Sequence, residues 1–136
     1  MKRILTFLAV LCFTISGYTQ DLSVIAITAP VSGCAMTATE NVTIRIFNYG
    51  PILIAGSTFN VSYTINAGAP VVELVTLGAN FLTNSTLNYT FTTQANLSVP
   101  GSYTFDATVS LAGDINPTNN AFTGYLVTNT ANSVGG

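Results

Sequence analysis

The 136-residue chain contains no histidine, no tryptophan, one lysine, two arginines and two cysteines. Each scarcity excludes something. Without histidine, and with Lys2 confined to the N-terminal end, a Ser, Thr or Cys nucleophile has no conventional base beside it. The same lack, with no paired cysteines, removes the usual ligand sets for zinc. Three basic residues cannot form the cationic surface that nucleic-acid phosphates or anionic lipids require. The carboxylates Asp21, Glu40, Glu73, Asp106 and Asp114 are scattered, with no two placed like the acid–base pair of a glycosidase. The expectation is a chain with no catalytic residue, no cofactor and no enzymatic activity.

The two N-terminal cations belong to a recognisable segment. Lys2 and Arg3 precede an apolar run from Ile4 to Ile15, which is too short to span a bilayer and then gives way to small and polar residues. This pattern reads as a secretory signal peptide over residues 1–19, cleaved after Gly17-Tyr18-Thr19 to leave Gln20 first. Leu11 before Cys12 argues against a lipid-attachment site. No second hydrophobic span follows, so the mature form is expected to be secreted or held at the cell surface without membrane insertion. It keeps one cation, Arg45, against five carboxylates, a formal charge near −4. Only Cys34 remains, so an internal disulfide is excluded. The thiol is expected to be buried, with pairing between chains as the alternative.

Alternation with a period of two recurs along the rest of the chain. It predicts strands at 22–28, 42–46, 59–65, 71–76, 87–92, 103–111 and 122–128. Phe59, Val61, Tyr63 and Ile65 share one face, as do Leu87, Tyr89 and Phe91. Tyr103, Phe105, Ala107, Val109 and Leu111 point inward, while Ile44 and Ile46 leave Arg45 outward. Between the runs stand Pro30 to Gly33, Asn48 to Pro51, Asn66 to Pro70, Gly78 to Asn80, Pro100-Gly101 and Asp114 to Asn120, all turn-forming. Seven short strands with one apolar face each predict an antiparallel, Ig-like β-sandwich over 20–128 and a short polar tail over 129–136. The Cys–Trp–Cys core of antibody domains is absent, so apolar packing alone must hold it.

The "SGC" turn at 32–34, "NYG" at 48–50 and D-x-N-P-x-N-N at 114–120 fall in an order that resembles the CARDB-type modules. These are Ig-like, cell-adhesion-related domains found in bacteria, here of the kind in exported Bacteroidetes proteins. The resemblance covers about residues 21–128. It implies a fibronectin III-like architecture and a surface location, and no catalytic residue.

Loop 114–120 is also the one place that invites a metal. Asp114, Asn116, Asn119 and Asn120 could offer oxygens to Ca²⁺, but one carboxylate is a poor charge count for such a site. Asx-turns and Pro117 explain the same residues as a hairpin connection, so no metal is expected there. Phe47, Tyr49, Phe122 and Tyr125 are the aromatics that could face outward. The five Asn-x-Ser/Thr sequons carry no weight in an Asn- and Thr-rich chain. The function expected is a non-catalytic adhesion or structural module whose partner is another surface protein or a glycan. The alternatives are a carbohydrate-binding accessory domain and a subunit that assembles through its sheet edges.

Overall fold

The computed structural model describes residues 19–132, so the expected signal peptide lies outside the described residues apart from Thr19. Eight strands follow one another: β1 Leu22–Ala29, β2 Gly33–Cys34, β3 Thr43–Asn48, β4 Thr58–Ile65, β5 Val71–Thr76, β6 Thr86–Thr90, β7 Gly101–Ser110 and β8 Ala121–Thr130. One 3₁₀ turn, Pro117–Asn119, interrupts the β7–β8 connection. The seven expected strands are all present. The eighth, β2, is two residues long and pairs in parallel with the end of β8, too short to carry any periodic signal.

Two sheets form, with orders β1-β3-β6 and β2-β8-β7-β4-β5. This order is that of immunoglobulin sandwiches, with a C′ strand (β5) beside the strands lettered G, F and C. The β4–β5 hairpin turns through Asn66 and Ala67, both at positive φ (51° and 55°), with Gly68 N–H donating to Ile65 O at 2.9 Å. Two central residues of that kind match the right-handed twist of the flanking strands.

The inward residues of both sheets meet in one core, led by Ile44, Ile46, Val61, Phe91, Phe105 and Val127. Tyr63 packs its ring edge-on to Phe91 at 4.8 Å, and its hydroxyl donates to Thr93 O at 3.0 Å. Near the start of β7 the Tyr103 hydroxyl donates back to Val99 O at 2.6 Å. This is the tyrosine-corner contact of immunoglobulin domains, and Phe105, two residues on, stands where antibody domains place their second cysteine.

Two expectations are corrected. Strand β8 runs two residues past the expected boundary at 128, because Asn129 is an internal anchor and not part of a polar tail. It is 2 % exposed, donates to Leu97 O at 2.6 Å and accepts from Met36 N at 3.1 Å. Cys34 is exposed and unpaired, since β2 lies at the outer edge of its sheet and turns no side chain into the core.

Candidate functional site

The antiparallel order brings the N-terminal segment and the β3–β4, β5–β6 and β7–β8 connections to one end of the sandwich. A side chain at the end of β3 holds two of these connections. Asn48 is fully buried, and its Nδ2 donates to Pro51 O at 2.9 Å and Phe81 O at 3.2 Å while Oδ1 accepts from Gly50 N at 2.9 Å. A backbone bridge between Leu53 and Phe81 completes the join, with N···O distances of 3.0 and 2.8 Å. Gly50 is required here. A Cβ on it would fall 2.8 Å from Asp21 N and 3.1 Å from Thr19 O.

Loop 114–120 closes the β7–β8 hairpin and also latches the N-terminal segment. Asp114 Oδ1 accepts from Asn116 N at 2.9 Å, an Asx-turn, and Oδ2 accepts from Leu22 N at 3.1 Å. Asn119 Nδ2 donates to Asp21 Oδ1 at 2.8 Å, and Ser23 Oγ donates to Asn119 O at 2.6 Å. Asn120 is 9 % exposed, and the amide orientation that satisfies it sets its nitrogen among Asp114 Oδ2, Leu22 O, Asn116 O and Asn119 Oδ1. Asn116 Oδ1 accepts from Thr118 Oγ1 at 2.7 Å. The four candidate calcium residues therefore do come together, but around N–H and O–H donors, and both Asp114 oxygens already face such donors. Among the described residues no group of three or more His, Cys, Asp or Glu side chains could hold a metal ion.

The remaining carboxylates have comparable partners. Glu40 accepts from Thr37 N at 2.7 Å, and Asp106 accepts from Gly124 N at 2.7 Å across a bulge in the β7–β8 ladder. Glu73, on the inner face of edge strand β5, accepts from Tyr89 Oη at 2.7 Å, Thr92 N at 3.0 Å, Thr92 Oγ1 at 2.8 Å and Thr93 N at 2.9 Å. Burial alone would raise its pKa. The four donors outweigh burial and hold it at about 2. The Tyr89 hydroxyl is pushed up to about 12, by burial first and then by its bond to the Glu73 carboxylate and that group's charge.

Solved structures supply the outside comparison. The chain is similar to the CARDB domain of the PF1109 protein of Pyrococcus furiosus, whose crystal structure is of a complex with di-metal ions. Identity is 19 % and the TM-score 0.52, over 84 % of this chain and 96 % of that one. A solution NMR structure of the same domain matches at 19 % identity and a TM-score of 0.51, over 82 % and 96 %. The likeness is one of fold. It agrees with the CARDB-type resemblance read from the turns; the similar domain is archaeal and lends no support to the Bacteroidetes part of that resemblance. No protein-family model matches the chain, and no curated protein does.

The three bound connections present apolar side chains to solvent. Tyr49, Ile52, Ile54, Leu82 and Ile115 are 45–65 % exposed, and all lie at this end of the sandwich. Gln20, Pro51, Ile52 and Thr83 line an open cleft of about 510 Å³ between them. Of the aromatics expected outward, exposed Tyr49 packs at a 45° tilt on half-buried Phe47 with centroids 4.3 Å apart, whereas Phe122 and Tyr125 pack against the core. Sequence reasoning missed Asn48 as the organiser, because an Asn after a strand reads as a turn and its partners at Phe81 and Leu82 are more than thirty residues away. The "NYG" tripeptide was the available signal.

Proposed function

We propose that this chain is an exported, non-catalytic interaction module that works at or outside the cell surface. It binds another surface protein or a glycan through the loop end of its sandwich. The observation that carries the reading is the clustering of Tyr49, Ile52, Ile54, Leu82 and Ile115 on connections fixed by Asn48 and Asp114. Exposed apolar side chains on loops held by a rigid scaffold are a recurrent recognition device, and the equivalent end of antibody variable domains carries their binding loops. The five carboxylates support the non-catalytic part, since each already accepts from donors of the fold. A resident metal forms no part of the proposal, although the similar Pyrococcus domain was solved with di-metal ions. The test is retention of the mature chain on isolated cell envelopes of its source. Ile52→Asp/Ile54→Asp should lower retention about tenfold, and Val31→Asp/Val99→Asp at the opposite end should not. Equal retention of both variants would overturn the reading.

A second reading has its own observation. Strand β5 is a six-residue free edge without lysine, proline or bulge, and Val72 and Leu74 on its outer face are 59 % and 62 % exposed. Such an edge invites strand addition, so the chain could assemble through it. Sedimentation at high concentration compares the parent with Leu74→Lys; a parent that stays monomeric removes this reading.

A further inference from the structure

Arg45, the one cation expected in the mature chain, lies on the outer face of the three-stranded sheet, on β3. Its Nε donates to Asn88 Oδ1 at 3.1 Å, and that partner is a neutral amide. None of the five carboxylates is spent on it: Asp21, Glu40, Glu73, Asp106 and Asp114 accept from other donors elsewhere in the fold. The Asn88 contact fixes the guanidinium through Nε and leaves its two terminal nitrogens, a planar fork suited to a carboxylate. On the same strand face, two residues on, stands Phe47, with Tyr49 stacked on it at 4.3 Å and a 45° tilt. Same-face neighbours along a strand are about 7 Å apart, so Arg45 lies about a sugar ring's width from half-buried Phe47, against which the exposed Tyr49 ring packs. Thr86 is paired across from Phe47 on β6, as Asn88 is from Arg45, so hydroxyl and amide groups border the aromatic surface.

From this arrangement we infer that Tyr49, Phe47 and Arg45 form a binding site for a uronic-acid-containing glycan. The exposed Tyr49 ring, backed by Phe47, takes the C–H face of the pyranose, toward which its negative quadrupole face is attractive, and the guanidinium takes the C6 carboxylate. Thr86 and Asn88 meet the ring hydroxyls. A single cation on a flat, hydroxyl-bordered face suits one carboxylate per sugar. An acidic peptide would need a cluster of cations that the described face lacks. The inference rests on the loop-end reading above, because Tyr49 belongs to both surfaces, and it names the ligand class of the adjoining face.

The experiment is an NMR titration of the mature chain with oligogalacturonate, with its methyl ester and with a sulfated oligosaccharide of equal length. The ester keeps the ring and removes the charge. The expected result is saturable binding of the free acid, confined to resonances around Tyr49, Phe47 and Arg45 and weakened by added salt. Arg45→Gln should lower affinity for the acid about tenfold or more, as expected for losing a charge-assisted pair, and leave the ester unchanged. Tyr49→Ala should weaken both acid and ester, and Leu126→Ala on the other sheet neither. Equal binding of acid and ester, an unaffected Arg45→Gln variant, preference for the sulfated sugar, or no binding at millimolar ligand would each overturn the assignment. Any of these would leave the envelope-retention test of Ile52→Asp/Ile54→Asp standing, so failure here and failure of the module reading are distinguishable.

Discussion

Replacing Glu73 by glutamine tests the reasoning about internal carboxylates at its most loaded position. The side chain ties β5, the edge of one sheet, to Tyr89 on β6 of the other and to the Thr92–Thr93 backbone. A carboxyl held at about 2 against an ordinary 4.5 sets a ceiling of about 3 kcal/mol at 1.36 kcal/mol per unit. The side chain is only partly buried, so solvent screening brings the expected contribution to about 1–2 kcal/mol. The folded-state pKa is depressed, and between about 2 and 4.5 the unfolded chain binds more protons than the folded one. The stabilisation is therefore complete above pH 4.5 and is lost as the pH falls toward 2. Glutamine keeps one acceptor and turns its N–H₂ toward donors. The variant should be about 1–2 kcal/mol less stable at pH 7, a fall in melting temperature of about 4–8 °C for a domain of this size. Urea unfolding at pH 7, 4 and 2.5 should show the difference between parent and variant shrinking toward zero, with the effects of the other carboxylates cancelling in the comparison. A gap as wide at pH 2.5 as at pH 7 would refute the charged clamp. The reciprocal reading is the Tyr89 phenolate, whose absorbance midpoint near pH 12 should fall in the variant but stay above the ordinary tyrosine value, because burial, the larger cause, remains.

Three further outcomes are expected. Asn48→Ala should cost about 2 kcal/mol by urea unfolding, because it leaves Pro51 O without its donor and strips Phe81 O and Gly50 N of the second partner each has besides Leu53 N and Asp21 O; a cost below about 0.5 would show that the loops do not depend on it. Asp114→Asn should cost about 1–2 kcal/mol through its contacts to Leu22 N and Asn116 N, while millimolar Ca²⁺ leaves the melting temperature of the parent unchanged; a Ca²⁺-dependent rise lost in the variant would make the loop a metal site. Cys34 should react with a thiol reagent in the native state, and Cys34→Ser should change stability by less than about 0.5 kcal/mol; protection of the thiol until unfolding would contradict its exposure.

What the sequence discloses depends on how local the governing interaction is. Alternation exposed the inner faces of β3, β4 and β7, because a strand buried on one side must repeat every two residues. Phe59, Val61 and Tyr63, and Phe105, Ala107 and Val109, all lie in the core as expected. Strand β5 is different. Val71 to Thr76 has no clean alternation, and its phase is set from outside: Glu73 points inward toward donors at 89, 92 and 93, which turns Val72 and Leu74 to solvent. Asn48 and Asn129 show the same limit from the polar side. Each reads as a turn or tail residue, and each is buried by acceptors about thirty residues away. The expectation for Cys34 rested on the average habit of free cysteines, and a two-residue edge strand overrode it. At the candidate site Tyr49 and Phe47 were readable beforehand as outward aromatics, and Asp114 to Asn120 as a turn. The aliphatic residues beside them acquire meaning once Leu53 and Phe81 are bridged.

The distribution of titratable groups has a consequence for recognition itself. A chain without histidine has no side chain of ordinary pKa between 5 and 7, and its carboxylates accept from donors within the fold. An arginine guanidinium stays charged throughout that range. Oligogalacturonate also keeps its carboxylates ionised there, so neither partner changes charge. Binding measured between pH 5 and 7 should therefore be flat, within about twofold, while added salt weakens it through the single Arg45 pair. Below pH 4.5 affinity should fall with protonation of the sugar, in the same range where the Glu73 clamp is lost. Glu73→Gln separates the two causes, because it removes the clamp and leaves the Tyr49–Phe47–Arg45 face intact. The acid-side loss of affinity should persist in that variant even though its stability no longer carries the Glu73 term. A midpoint near pH 6 would require a histidine-like side chain that this chain does not possess, and would place recognition away from Arg45.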